Sequence, residues 1–187
     1  IRISDLTSEQ ESIAKKYGGV YVFDEKLEKE IDKREEERRI MTKGLSGKKI
    51  AENRYAVDMT PVNEKLPRVL SNGKKYYVTT RDYGNDFKKQ AWIPERYSDL
   101  IVNYIGKDYE KFKPSFSFDY FYVDNDQIVP ISLSVTYSYK VAKFGLFGDE
   151  ASGIRFKEIY YSYVLGGNRF EFINNKFEKV STSDKDK

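Results

Sequence analysis

The chain contains no histidine and no cysteine among its 187 residues. Without histidine there is no Ser-His or Cys-His nucleophile pair, no imidazole metal ligand, and no side chain that titrates near neutral pH unaided. Without cysteine there is no thiolate chemistry, no zinc-thiolate site and no disulfide. Carboxylate, Lys, Tyr and Ser chemistry remain. Long apolar runs are also missing: nothing approaches the roughly 20 residues that a membrane-spanning helix needs. So is a charge of one sign. The 33 basic and 30 acidic residues leave a net charge of +3 and are closely interspersed, so nucleic acid is not an expected partner.

What the sequence has in quantity is rings, with 16 Tyr and 12 Phe. They concentrate after Pro114, where five runs read as strands: "FSFDYFYV", "IVPISLSVTYSYKV", "IRFKEIYYSYV", "RFEFI" and "KFEKV". The turn signals "DNDQ", "LGGN" and "NNK" lie between them, and short loops force antiparallel neighbours. The first 113 residues read as helix-rich, with "VYVF" and "YYVTT" as short strands and "SNGKK" and "DYGN" as turns. Thr7 or Ser8 caps a helix that ends at Gly18 and Gly19. Asp24 caps a charged helix over 24–40, whose narrow stripe of Leu27 and Ile31 places it on the surface, held by Glu30–Arg34 and Glu35–Arg39 pairs. "IPERYSDLIVNYIGKDY" puts Tyr97, Leu100, Ile101, Tyr104 and Ile105 on one helical face, with Trp92 just before it as a packing anchor. The expectation is one α+β domain over 1–187. Residues 1–113 form its helix-rich part, 114–180 an antiparallel meander covered by those helices on one face, and 181–187 a flexible tail.

Two stretches are candidate partner-binding sites. In "SLSVTYSYK", Ser132, Ser134, Thr136 and Ser138 share one strand face, small and uncharged, while Leu133, Val135, Tyr137 and Tyr139 take the other. In "KFGLFGDEASG", Phe144, Leu146 and Phe147 sit among glycines beside Asp149 and Glu150, a pattern of apolar groups ringed by polar ones. Neither stretch carries catalytic or metal-ligating chemistry. "GLSGKK" lacks the first glycine and the Ser or Thr of a phosphate-binding loop, and "DNDQI" lacks the remaining ligands of a calcium loop. Asp119, Glu158 and Glu171 read as cross-strand ion-pair partners of Lys157, Arg155 or Arg169. No cofactor is implied.

The stretch "FSFDYFYVDNDQIVPISLSVTYSYKV" with "EIYYSYVLGGNRFEF" resembles the β-rich part of the TipC-type immunity proteins of streptococci, which accompany LXG toxins exported by type VII secretion. The resemblance implies a non-enzymatic protein that binds a cognate protein toxin and occludes its active site outside the cytoplasmic membrane of a Gram-positive bacterium. It also implies an N-terminal signal or anchor segment, the only expected link to a membrane, which fits a chain that opens on Ile1 instead of Met. The competing expectations are an assembly module of a secretion or conjugation apparatus and, behind it, a carboxylate enzyme with a sheet cleft.

Overall fold

The structure, a computed structural model, describes residues 1–45, 48–51, 54–147 and 154–182. Side chains at 46–55, 146–156 and 182–187 are not part of that description. In chain order the elements are β1 (Arg2–Ser4), α1 (Ser8–Tyr17), β2 (Gly19–Val22), α2 (Glu25–Lys43), β3 (Lys48–Ala51), β4 (Arg54–Ala56), α3 (Thr60–Lys65), β5 (Tyr76–Tyr77), α4 (Thr80–Phe87), α5 (Glu95–Ile105), α6 (Asp108–Lys111), β6 (Ser115–Asp124), β7 (Gln127–Phe147), β8 (Ile154–Val164), β9 (Asn168–Ile173) and β10 (Lys176–Thr182). The result is an α+β fold with an eight-stranded sheet whose strands are mostly C-terminal.

The chain forms two compact units, each assembled from separate segments: 1–21, 95–117 and 133–187 in the first, 22–94 and 118–132 in the second. They interleave along the sequence and do not follow a division near residue 113. In the first unit the strand order is β10-β9-β2-β7, with β1 and β8 also paired to β7. The insertion of β2 between β9 and β7 interrupts the expected meander of consecutive neighbours. The second unit holds the β6–β7 hairpin with β5 at its side. Asn125 and Asp126 both have positive φ at this hairpin, as do Asn174 and Asn175 between β9 and β10, the backbone that two-residue loops require.

The core of the first unit is aromatic. Tyr21 is fully buried, stacks on Phe170 at 4.3 Å between centroids, and meets Phe177 and Tyr104 edge-on. Its hydroxyl donates to the Tyr17 carbonyl at 2.6 Å, and burial pushes its pKa well above the usual tyrosine value. Leu133, Val135 and Tyr137 of β7 are buried on the same side, with Phe112 against Tyr137. α1 is fixed at both ends. Thr7 and Gln10 form a reciprocal capping box at its start. At its end Asn168 Nδ2 donates to the carbonyls of Lys15, Lys16 and Gly18, satisfying acceptors that the helix leaves open.

This closure brings two backbones into contact. A Cβ at Gly166 would lie 2.2 Å from the Gly18 carbonyl oxygen, and one at Gly19, whose φ is +149°, would lie 1.9 Å from that of Asn168. Gly166→Ala must therefore push β9 away from α1, at a cost of about 1–3 kcal/mol. Chemical denaturation should show a lowered midpoint with an unchanged slope.

In the second unit helices cover both faces of the hairpin. Leu27 and Ile31 of α2 pack with Leu70, Tyr76 and Ile131, and Tyr120 and Tyr122 join them. On the other face Tyr83 and Phe87 of α4 pack with Tyr77 and Phe121. Helix α4 replaces the expected turn "DYGN": Thr79 caps it, accepting from the Asp82 amide, and Lys88 ends it in the left-handed region. Trp92, expected as a packing anchor, is 70% exposed. The irregular segment that carries it turns Ala91 inward instead.

Candidate functional site: the exposed face of β1, β7 and β8

The Ser/Thr face of β7 is less open than its sequence implies. Ser132 is only 1% exposed and does not present its hydroxyl to a partner, a correction to the expected docking face. Ser134, Thr136 and Ser138 are half-buried, because a short side chain in a central strand is shaded by larger neighbours on the flanking strands. Ser138, for example, lies directly opposite Tyr163 of β8.

That same face becomes exposed farther along β7. Directly opposed residues of antiparallel strands share a face, and the β7–β8 register pairs Ser138 with Tyr163, Lys140 with Tyr161, Ala142 with Ile159 and Phe144 with Lys157. On the other side of β7, Ile3 of β1 lies opposite Ala142. One face of three strands thus gathers Ile3, Phe144, Ile159, Tyr161 and Tyr163, exposed by 38–61%. Two cations sit among them. Lys140 Nζ lies 5.9 Å from the Tyr161 ring centre and Lys157 Nζ 5.7 Å from that of Phe144, in cation–π range. On the opposite face Tyr137 and Val141 are buried and α1 lies against β8 and β9, while Tyr160, Ser162 and Val164 are half-buried and Lys143 and Glu158 exposed.

Of the sequence-predicted binding residues, the structure therefore brings together Ser138 and Phe144. The backbone of Leu146 and Phe147 completes β7, opposite Arg155 and Ile154. Asp149 and Glu150 lie outside the described residues. Sequence reasoning missed Ile3, Ile159, Tyr161 and Tyr163. In "EIYYSYV" one face is Ile159, Tyr161 and Tyr163 and the other Glu158, Tyr160, Ser162 and Val164, so alternation alone assigns the exposed row to the inside.

A second concentration of chemistry lies in the second unit, in a cleft of about 420 Å³ lined by Arg38, Arg68, Lys75, Asp82 and Asp86 over Tyr76 and Tyr77. Its charges are already paired. Arg68 holds Glu35 in a bidentate pair at 2.8 and 3.1 Å, and Tyr76 donates to the same carboxylate at 2.5 Å. Arg38, 4% exposed, donates to the Leu66 carbonyl at 2.6 Å and to Asn63 Oδ1 at 2.8 Å, and its Nε lies 3.9 Å from Glu35. Asp86 accepts from Lys75 and Tyr77 at 2.5 and 2.6 Å.

These are tertiary ties; they stand in place of the expected Glu30–Arg34 and Glu35–Arg39 pairs, while α2 keeps ion pairs of its own at Glu25–Lys29 and Glu36–Arg39. Glu30 accepts from Ser71 and Arg34 donates to the Pro67 carbonyl, so α2 anchors the 66–71 segment. The helix is correspondingly more buried than its two-residue apolar stripe implies, with Glu28 and Arg38 both inside.

Burial pushes the Glu35 pKa up, but the Arg68 and Tyr76 hydrogen bonds and the nearby guanidinium charges outweigh it and hold the carboxyl below its ordinary range. A depressed carboxylate contributes stability that is complete above the unfolded value of about 4.3 and is lost as pH falls through the folded value. Glu35→Gln should therefore cost about 1–3 kcal/mol at neutral pH. The gap between variant and wild type should close in acid, as read from urea unfolding at neutral pH and below pH ~4. Among the described residues no cluster of three acidic side chains is arranged to hold a metal ion.

The chain matches no family model, no curated protein and no solved structure.

Proposed function

We propose that the protein is a non-enzymatic binder that neutralises a cognate protein toxin of the LXG type by occluding its active site. The observation that carries this reading is the run of Ile3, Phe144, Ile159, Tyr161 and Tyr163, open to solvent on one face of three paired strands. Large apolar side chains scattered singly are ordinary, whereas a contiguous row with interspersed cations has the make-up of a protein interface centre. Tyrosine in particular supplies large contact area at low entropic cost.

The chemistry of the cleft supports the same reading. A general acid working near neutral pH needs a raised carboxyl pKa, and Glu35 and Asp86 are both held low by hydrogen-bonded partners. They serve as permanent ion-pair anchors. The resemblance of the C-terminal strands to TipC-type immunity proteins supplies the partner class and an extracytoplasmic setting.

Co-expression with an LXG toxin encoded beside this chain tests the proposal. Protected growth and a stable complex are expected. A folded, exported protein that leaves toxicity unimpeded contradicts it.

A further inference from the structure

β8 runs from Ile154 to Val164 and, among the described residues, is paired along one edge only, to β7. In an antiparallel ladder alternate residues turn their N–H and C=O groups to the neighbouring strand and the others turn theirs away. The outer edge of β8 therefore offers backbone donors and acceptors to solvent beside the exposed side chains of Ile159, Tyr161 and Tyr163. No proline interrupts it, and its charges, Arg155, Lys157 and Glu158, gather at its start, so the uncharged run from Ile159 to Val164 is the part of the edge left open to pairing.

Size and charge narrow what can dock there. Two strands about 4.8 Å apart, over about seven residues of about 3.4 Å rise, with the three residues of β1 beside them, present roughly 280 Å², well short of the ~800 Å² per partner that stable complexes bury. The face alone is too small, and backbone pairing along its edge supplies what is lacking. A second copy laid face to face would confront Lys140 and Lys157 with their own equivalents, both lysines being exposed. A partner bearing carboxylates would complement them.

Resting on the reading that this face docks a protein, we infer that β8 accepts an extended segment of the partner as an added strand. That segment carries apolar side chains at alternate positions, beside Ile159, Tyr161 and Tyr163. At the end that meets Lys157 it carries an Asp or Glu. Main-chain hydrogen bonds hold it, and the alternate side chains select it.

The test is selection of short random displayed peptides on the intact protein, followed by hydrogen exchange with an enriched peptide bound. Enriched sequences should alternate apolar residues and include acidic ones. They should bind the Tyr161→Lys variant at least about tenfold more weakly, and they should slow exchange at every second amide between Lys157 and Val164. No enrichment, enrichment of sequences without alternation or with Lys and Arg, or unchanged exchange along β8 overturns the inference. So does sedimentation equilibrium showing a dimer that Tyr161→Lys dissolves, since the occupant is then a second copy. The selection needs no toxin. Peptides that add to β8 while the toxin goes unneutralised overturn the inhibitory role alone, and neutralisation without protected β8 amides overturns the added strand alone.

Discussion

Ile159→Lys combined with Tyr161→Lys is expected to weaken partner binding at least about a hundredfold, equivalent to ~2.7 kcal/mol. The same substitutions should cost folding stability only about 1 kcal/mol, the loss of strand preference and the like charge set opposite Lys140. The asymmetry follows from exposure. Both side chains stand more than half exposed on the open face, 56% for Ile159 and 61% for Tyr161, so the folded chain gains little by holding them there. In the proposed complex they would lie near the centre of the exposed face, where desolvated apolar groups carry most of the binding energy. Two added lysines beside Lys140 and Lys157 also leave buried, unpaired charge in any complex. Titration calorimetry against the cognate toxin and urea unfolding of the free protein read the two quantities separately. Equal losses in both would show that the row holds the fold instead of a partner.

The opposite asymmetry is expected at Tyr21. Tyr21→Ala should destabilise the protein by about 3–5 kcal/mol, enough to unfold a marginal domain. The ring is fully buried, stacked on Phe170 with Phe177 and Tyr104 against its edges, and no small shift of those rings fills the volume it leaves. Tyr21→Phe separates packing from the hydrogen bond. It keeps the ring and loses only the 2.6 Å bond to the Tyr17 carbonyl, for about 1–2 kcal/mol. Thermal or denaturant midpoints of the two variants give the comparison.

The contrast between these sites explains what the sequence made legible. Strand alternation put Leu133, Val135, Tyr137 and Tyr139 inside; the first three are buried and Tyr139 is half-buried. Paired Asn and Asp residues marked both two-residue hairpin loops, where positive φ is demanded. Local chemistry also placed the cap of α2 at Asp24 and narrowed that of α1 to Thr7 or Ser8, of which Thr7 is the cap. Long-range pairing was hidden. Nothing in "GVYV" says that β2 enters the sheet between strands more than a hundred residues later, because any short apolar strand satisfies the same edge.

Charge was misread for a related reason. The acidic and basic residues of α2 sit at spacings that suit pairing within the helix, and Glu25–Lys29 and Glu36–Arg39 do pair there, but for Glu30, Arg34, Glu35 and Arg38 the better-fixed partners are Ser71, Arg68, Tyr76 and the carbonyls of Leu66 and Pro67. The candidate site was half legible. "SLSVTYSYK" located the correct face of β7, and its exposure was misjudged at Ser132. The exposed row itself belongs mostly to β8, whose tyrosines occupy both faces and differ in exposure where α1 lies against the strand.

Radical footprinting of the tyrosines, with and without the cognate toxin, reads the open face most directly. The account expects Tyr161 and Tyr163 to react readily in the free protein and to be strongly protected in the neutralised complex, with buried Tyr21 unreactive in both. Neutralised toxin with Tyr161 and Tyr163 as reactive as before would contradict the claim that this face is where the protein acts.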